Sequence, residues 1–251
     1  MADKLHEATP RSWSQLMEEL AYVRPGSKGA RPERMSYSYI FRGVSDVAHQ
    51  LQPSIGRTEL YRTHPADAEE SLLQEFQYRF AAQIDGRAYD QWELLAFAQH
   101  VGVPTRLLDW STSPLIALFF ALSADTEADR AVYCVSLSKK NNEISKEERA
   151  GSSPFKVKRV VRFSPPLSFA RLRNQRGVFT AQPDPSGVLP LERIKKVIIK
   201  RQHVPRFRNI LFQFGIDYAY IYPDEEGIGQ QLKWHAKENV GLGLPGWRAT
   251  P

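Results

Sequence analysis

Between Gln99 and Pro114 the chain concentrates groups able to do chemistry: His100, Arg106, Asp109 and the hydroxyl run Ser111-Thr112-Ser113. The stretch runs directly into Leu115-Ile116-Ala117-Leu118-Phe119-Phe120-Ala121-Leu122, which reads as a buried helix. Polar groups pinned beside core elements must be hydrogen-bonded or must act on something. Exposed amides and hydroxyls before a helix N-terminus suit an anion or a carbonyl-bearing ligand. Plain capping by Ser113 or Ser111 accounts for one of the three hydroxyls equally well. Asp109 and Arg106 can pair with each other or with Arg42, and His100 fits a structural imidazole as well as a base.

Two further segments could share that chemistry. Tyr39-Ile40-Phe41-Arg42-Gly43 ends an aromatic, alternating strand on an arginine. A guanidinium there cannot be buried unpaired, so it either binds a carboxylate or phosphate in a cleft or makes a structural ion pair, for which Asp109 is a candidate. In Asn174-Gln175-Arg176-Gly177-Val178-Phe179-Thr180, strand alternation puts Gln175, Gly177 and Phe179 on one face, and Gly177 permits close approach to the backbone. The six histidines are scattered and the single cysteine has no companion, so no metal is expected. There is no P-loop, no G-x-G-x-x-G and no G-x-S-x-G.

The elements that must position these residues follow from periodicity and punctuation. Helices are expected over 12–23 (capping pattern Ser12/Gln15), 66–84, 90–102, 114–124 with Pro114 in the first turn, 206–214 with Leu211, Phe212 and Phe214 inward, and 224–234 capped by Asp224. Strands are expected over 37–43, 131–137, 157–163, 175–181 and 195–200, with 105–108 a short extended piece and 218–222 short and aromatic. Residues 44–64 and 138–154 read as loops. Helices first, then strands with helices between, give an α+β domain. The expected organisation is an N-terminal helix and linker over 1–34, one domain over 35–235 and a loose tail over 236–251.

Bulk composition narrows the class. No apolar run approaches the roughly 18 residues of a membrane span, and the N-terminus lacks an apolar signal region, so a cytoplasmic protein with no membrane partner is expected. Cys134 lies in a core-strand pattern and reads as a small buried hydrophobe rather than a nucleophile. Charge is uneven: residues 154–216 hold fourteen Lys/Arg against Asp184 and Glu192, so that segment is +12 and, with a net charge of +6, the remainder is −6. Such a segment suits an anionic partner, nucleotide or nucleic acid, or else forms a solvated basic face.

Together, Tyr39–Gly43 and the block Ala98–Ala121 resemble the FRG domain family, named for its Phe-Arg-Gly motif. The likeness continues through Gln175–Thr180 and closes on Ile221-Tyr222-Pro223-Asp224-Glu225-Glu226-Gly227, covering about 35–235. More distantly, the same residues are similar to the Arg–Ser–Glu class of ADP-ribosyltransferases. That likeness implies a central mixed or antiparallel split sheet with flanking helices, NAD as substrate, and no metal. It implies that Arg42 holds NAD phosphate or ribose, that Ser111, Thr112 and Ser113 brace the nicotinamide pocket, and that Gln175 stands where the class carries its glutamate. An amide orients a ribose but offsets cationic charge less well, which moves the acid to Asp109, Glu192 or Glu225. Gly43, His100 and Arg106 join Arg42 as cofactor-binding candidates. Phe179 either stacks on nicotinamide or belongs to the core. The resemblance implies an NAD-consuming effector of toxin or phage-defence type, acting on a protein or nucleic-acid acceptor. The alternatives are a non-catalytic nucleotide- or nucleic-acid-binding module, and a buried structural network of Arg42, Arg106 and Asp109.

Overall fold

The computed structural model describes residues 5–21, 39–81, 89–137, 142–166, 170–190 and 194–238. Seven strands form one sheet: β1 (His6–Ala8), β2 (Tyr39–Val44), β3 (Leu108–Ser111), β4 (Arg130–Ser136), β5 (Val161–Phe163), β6 (Gly177–Ala181) and β7 (Ile194–Ile199). Their order is β1-β7-β4-β2-β3-β6-β5. β1 runs parallel to β7, and every other pairing is antiparallel. The helices are α1 (Trp13–Ala21), α2 (Glu59–Thr63), α3 (Ala68–Phe80), α4 (Gln91–His100), α5 (Pro114–Ser123), α6 (Lys146–Gly151), α7 (Ala170–Asn174), α8 (Val204–Gln213), α9 (Tyr218–Ile221) and α10 (Glu225–Glu238). The fold is α+β, a mixed sheet with flanking helices.

The sheet is continuous but nearly divided. β2 and β4 pair over six positions and β3 and β6 over four, whereas β2 and β3 meet only at Phe41 and Ser111. Side-chain alternation assigns the strands to three cores. Phe41, Val132, Cys134, Val197 and Ile199 pack with α1, α5 and α8. Ile40, Val44, Ala131, Tyr133 and Val135 face the other way, with Trp110 and Val178. Phe163, Phe179 and Ala181 pack against α3 and α4 around Trp92.

The glycine after Arg42 is dictated by α5. A Cβ at Gly43 would lie 1.8 Å from the Ala117 carbonyl oxygen and 2.6 Å from the Ala121 nitrogen. Phe41 and Gly43 share the face on which α5 lies, so β2 accepts the helix backbone where its side chain is missing. Arg42, between them, points the other way.

Several elements differ from expectation. The polar residues Asp109–Ser111 are themselves strand β3, rather than a loop after an extended 105–108, because they pair with Gly177–Phe179. β6 begins at Gly177, and Gln175 and Arg176 form a turn after α7, with Arg176 in the left-handed region at φ 47°. Only Val161–Phe163 of the expected 157–163 strand pairs. The 44–64 loop contains α2, and the 138–154 loop contains α6, whose Ser145/Glu148 capping box is formed in full. The aromatic 218–222 segment is a helical turn capped by Asp217. Phe214 is exposed and stacks on Trp13. Two elements lacked a periodic signal: β1, which borrows its ladder from β7, and α7. The expected ends of the helices at 12–23 and 66–84, the first residues of strand 37–43, and Glu192 fall outside the described residues.

Gly43→Ala is expected to destabilise the fold by about 3 kcal/mol or more, since backbone on both sides of the new methyl must move. Chemical denaturation of the two proteins side by side checks this.

Candidate functional site

Past the Phe41–Ser111 pair, β2 follows β4 while β3 follows β6, and a cavity of about 440 Å³ opens between them. That volume falls within the range of small-molecule sites. Arg42 stands at its apex. Its Nη1 donates to the Asp109 carbonyl oxygen at 2.7 Å and lies 3.5 Å from the Asp109 carboxylate. A carbonyl that a continuous ladder would have paired is satisfied by a side chain instead. The Arg42 side chain remains 24% exposed, with Nε and Nη2 making no hydrogen bond to a described residue. Arg42 therefore both pairs with Asp109 and lines the cavity.

Asp109 is the one acid among the described lining residues. Its Oδ1 accepts a 2.6 Å hydrogen bond from Gln99 Nε2. Gln99 is oriented in turn, because its Oε1 accepts from the Thr105 hydroxyl. Thr105 is itself tied to Ser54, whose Oγ accepts from the Thr105 amide. Thus Gln99 and Thr105, flanking the α4–β3 connection, hold the carboxylate in place. Sequence reasoning did not single them out, and their spacing carries no period to find them by.

The hydroxyl run divides its work. Ser111 Oγ donates to the Gln175 carbonyl at 2.7 Å and accepts from the Ser113 amide at 3.0 Å, so one hydroxyl both braces the far wall and caps α5. The Thr112 amide donates to Arg176 O, which holds the strained 175–176 turn. Ser113 occupies the N-cap position without a side-chain capping bond, and neither it nor Thr112 lines the cavity. Gln175 does line it, with its Nε2 3.4 Å from Ile221 O.

On the wall made by α4, α7 and the 222–227 segment stand His100, Arg171 and Tyr222. Arg171 donates from Nε to Asp224 (2.6 Å) and from Nη2 to Glu226 (2.7 Å), with its guanidinium 5.1 Å from the Tyr222 ring centre. These partners hold Arg171 well above even the ordinary arginine value and Asp224 below the ordinary carboxylate value. Burial, then the neighbouring Arg171 charge, push His100 below the usual imidazole range, so at neutral pH it is uncharged. Tyr222 also meets Phe120 of α5 edge to face at 6.4 Å. Arg171 and Tyr222 are further lining residues the sequence reading missed, because α7 and α9 are too short to show periodicity.

One expected ligand group stands elsewhere. Arg106 is buried and bonds Glu69 through Nε and Nη2, with Nη1 to the Gln182 carbonyl; it pairs with neither Asp109 nor Arg42 and does not line the cavity. Phe179 is mostly buried and stacks on Phe163 in the core, and it also lines the cavity. Gly43 reaches the lining as backbone, its role being to admit α5. Glu225 is exposed at the start of α10 and is not a lining residue. Cys134 is fully buried and its thiol is pushed up to about 12, which keeps it protonated and inert.

The basic segment is largely neutralised by the rest of the chain. Of its fourteen cations, Arg159, Arg162, Arg171, Lys195, Lys196, Lys200, Arg201 and Arg208 pair with acids from outside the segment. Among the described residues no histidines, cysteines and acids gather to hold a metal, and no helix is long and apolar enough to cross a membrane.

Residues 37–130 match the family model of the FRG domain. The chain contains an FRG domain. No curated protein and no solved structure matches the chain. The Phe-Arg-Gly motif of the FRG domain here has one physical task per residue: Phe41 enters the core, Arg42 bridges the strand divergence, and Gly43 admits α5. The matched span supplies Arg42, Gln99, His100, Asp109 and Phe120 to the cavity. Arg171, Gln175 and Tyr222, which also line the cavity, lie beyond it.

Two outcomes check this division of roles. Arg106→Ala should cost about 3–5 kcal/mol, leaving the Glu69 carboxylate buried and unpaired, and Arg106→Met with Glu69→Leu should recover most of it in thermal melts. In an NMR titration the His100 imidazole should protonate below the free-imidazole value of about 6.5 and shift upward in Arg171→Ala.

Proposed function

We propose that this cavity binds NAD and that the protein is an NAD-consuming, ADP-ribosyltransferase-like enzyme. One observation carries the reading: Arg42, Ser111 and Gln175, from three distant segments, line a single cavity in the sheet. These are the positions that the distant resemblance assigns to phosphate or ribose binding, pocket bracing and the ribose-facing residue. Arg42 offers Nε and Nη2 to a phosphate or ribose oxygen, while Ser111 fixes the 175–176 turn through the Gln175 carbonyl. Phe120 and Tyr222 provide apolar faces beside these polar groups.

In the proposed reaction the bond between the ribose C1′ and the nicotinamide nitrogen breaks, and the electron pair leaves with neutral nicotinamide. The ribose then carries oxocarbenium character until water, or a nucleophile on a protein or nucleic acid, bonds to C1′ and gives up its proton. Asp109, held by Gln99, is the carboxylate available to offset that charge, with Gln175 orienting the ribose. Binding without turnover is the second reading. It is favoured by the amide at position 175 and by the engagement of Asp109 with Arg42.

Calorimetry and chromatographic detection of nicotinamide test both readings. Wild type should bind NAD and release nicotinamide. Arg42→Ala should weaken binding by roughly 10- to 150-fold, the worth of hydrogen bonds to a charged group. Asp109→Asn should cut release much more than affinity. Tight binding with no release identifies the non-catalytic module; absence of binding to wild type rejects the NAD site.

A further inference from the structure

Arg171 is set up differently from Arg42. Its Nε is fixed by Asp224, whose other oxygen accepts the Gly227 amide at 3.0 Å and so caps α10. The loop behind Asp224 is tight: a Cβ at Gly227 would lie 1.8 Å from the Tyr222 carbonyl oxygen. Tyr222 supports the guanidinium from one side. Asp224 and Tyr222 therefore form a fixed mount. The second carboxylate differs, because Glu226 bonds only through Nη2 and its side chain is 67% exposed, while that of Arg171 is 24% exposed. Nη1 makes no hydrogen bond to a described residue.

We infer that Arg171 is a second anion-binding group of the cavity, taking a phosphate of a nucleoside diphosphate, and that Glu226 is a built-in competitor which the incoming phosphate displaces. The nucleotide identity of the ligand rests on the proposed NAD cavity; the anion site itself rests on Arg171 and its mount. A phosphate reaching Nη1 and Nη2 forms a bidentate, charge-assisted pair, the geometry that favours arginine over lysine. Surrendering an exposed carboxylate costs little, since ion pairs at the surface contribute little. Asp224 stays in place throughout, because it also caps the helix.

The two carboxylates make predictions of opposite sign. Binding of ADP-ribose and of inorganic pyrophosphate is measured by calorimetry for wild type, Arg171→Ala, Glu226→Gln, Asp224→Asn and Arg42→Ala, each checked for folding by thermal melt. Arg171→Ala should bind ADP-ribose about tenfold or more weakly. Glu226→Gln should bind about two- to fivefold more tightly, the competitor being neutral. Asp224→Asn should weaken binding. A purely structural ion pair would leave Glu226→Gln unchanged or weaker. If Arg42→Ala loses affinity while Arg171→Ala and Glu226→Gln bind as wild type does, the inference falls and the NAD cavity stands. If wild type takes pyrophosphate but not ADP-ribose, and Arg171→Ala loses it, the anion site stands and the nucleotide reading falls. Failure of wild type to bind either probe overturns both.

Discussion

The site depends on how one sheet comes apart without losing its hydrogen bonds. β2 and β3 share a single residue pair, Phe41 with Ser111, and then diverge. Divergence exposes backbone groups that a ladder would have joined, and such groups are costly when left unpaired. Arg42 resolves this by donating to the Asp109 carbonyl from across the gap. The guanidinium is long enough to span the opening and has donors to spare, so the repair leaves a cationic edge facing the cavity. The opening therefore arrives already lined by a positive charge, with Asp109 beside it.

The rest of the fold keeps the gap from closing. α5 follows β3 after two residues and packs its backbone onto β2 at Gly43, which commits β2 to its α5 and β4 neighbours. On the other side, Ser111 and Thr112 hold the Gln175–Arg176 turn, which commits β3 to β6. The left-handed φ at Arg176 is tolerated because both flanking carbonyls are anchored. Each wall thus has its own core, around α5 and α8 on one side and around Trp92 and Phe163 on the other.

Charge follows the same logic of distant partners. A segment carrying +12 in a chain of +6 invites an anionic ligand when read linearly. Folded, most of those cations meet acids from the other part of the chain, from Glu7 and Glu19 at one end to Glu238 at the other. Arg171 belongs to this group, yet it sits on the cavity wall with an exposed second partner, which separates it from the purely structural pairs such as Lys195–Glu19.

Much was legible in the residues alone. Long periodic stretches located α3, α4 and α5; Asp90 and Pro114 marked helix starts; and alternation located β2, β4 and β7, because periodicity and capping are local consequences of burial and backbone valence. That Arg42, Asp109, Ser111 and Gln175 need partners was legible too, since polar side chains set among apolar runs cannot be left unsatisfied. What those partners are was not. That Arg106 pairs with Glu69 rather than Asp109, that Phe179 is core, and that Gln99 orients Asp109 are matters of which segments fold against which. The short elements β1 and α7, and with α7 the placement of Arg171, were equally hidden, because they draw their stability from contacts far away in the chain. The sequence by itself determined which groups could not be left unpaired; only the tertiary structure decided their partners, because hydrogen bonds and ion pairs between distant segments depend on the path of the chain and leave no period in it.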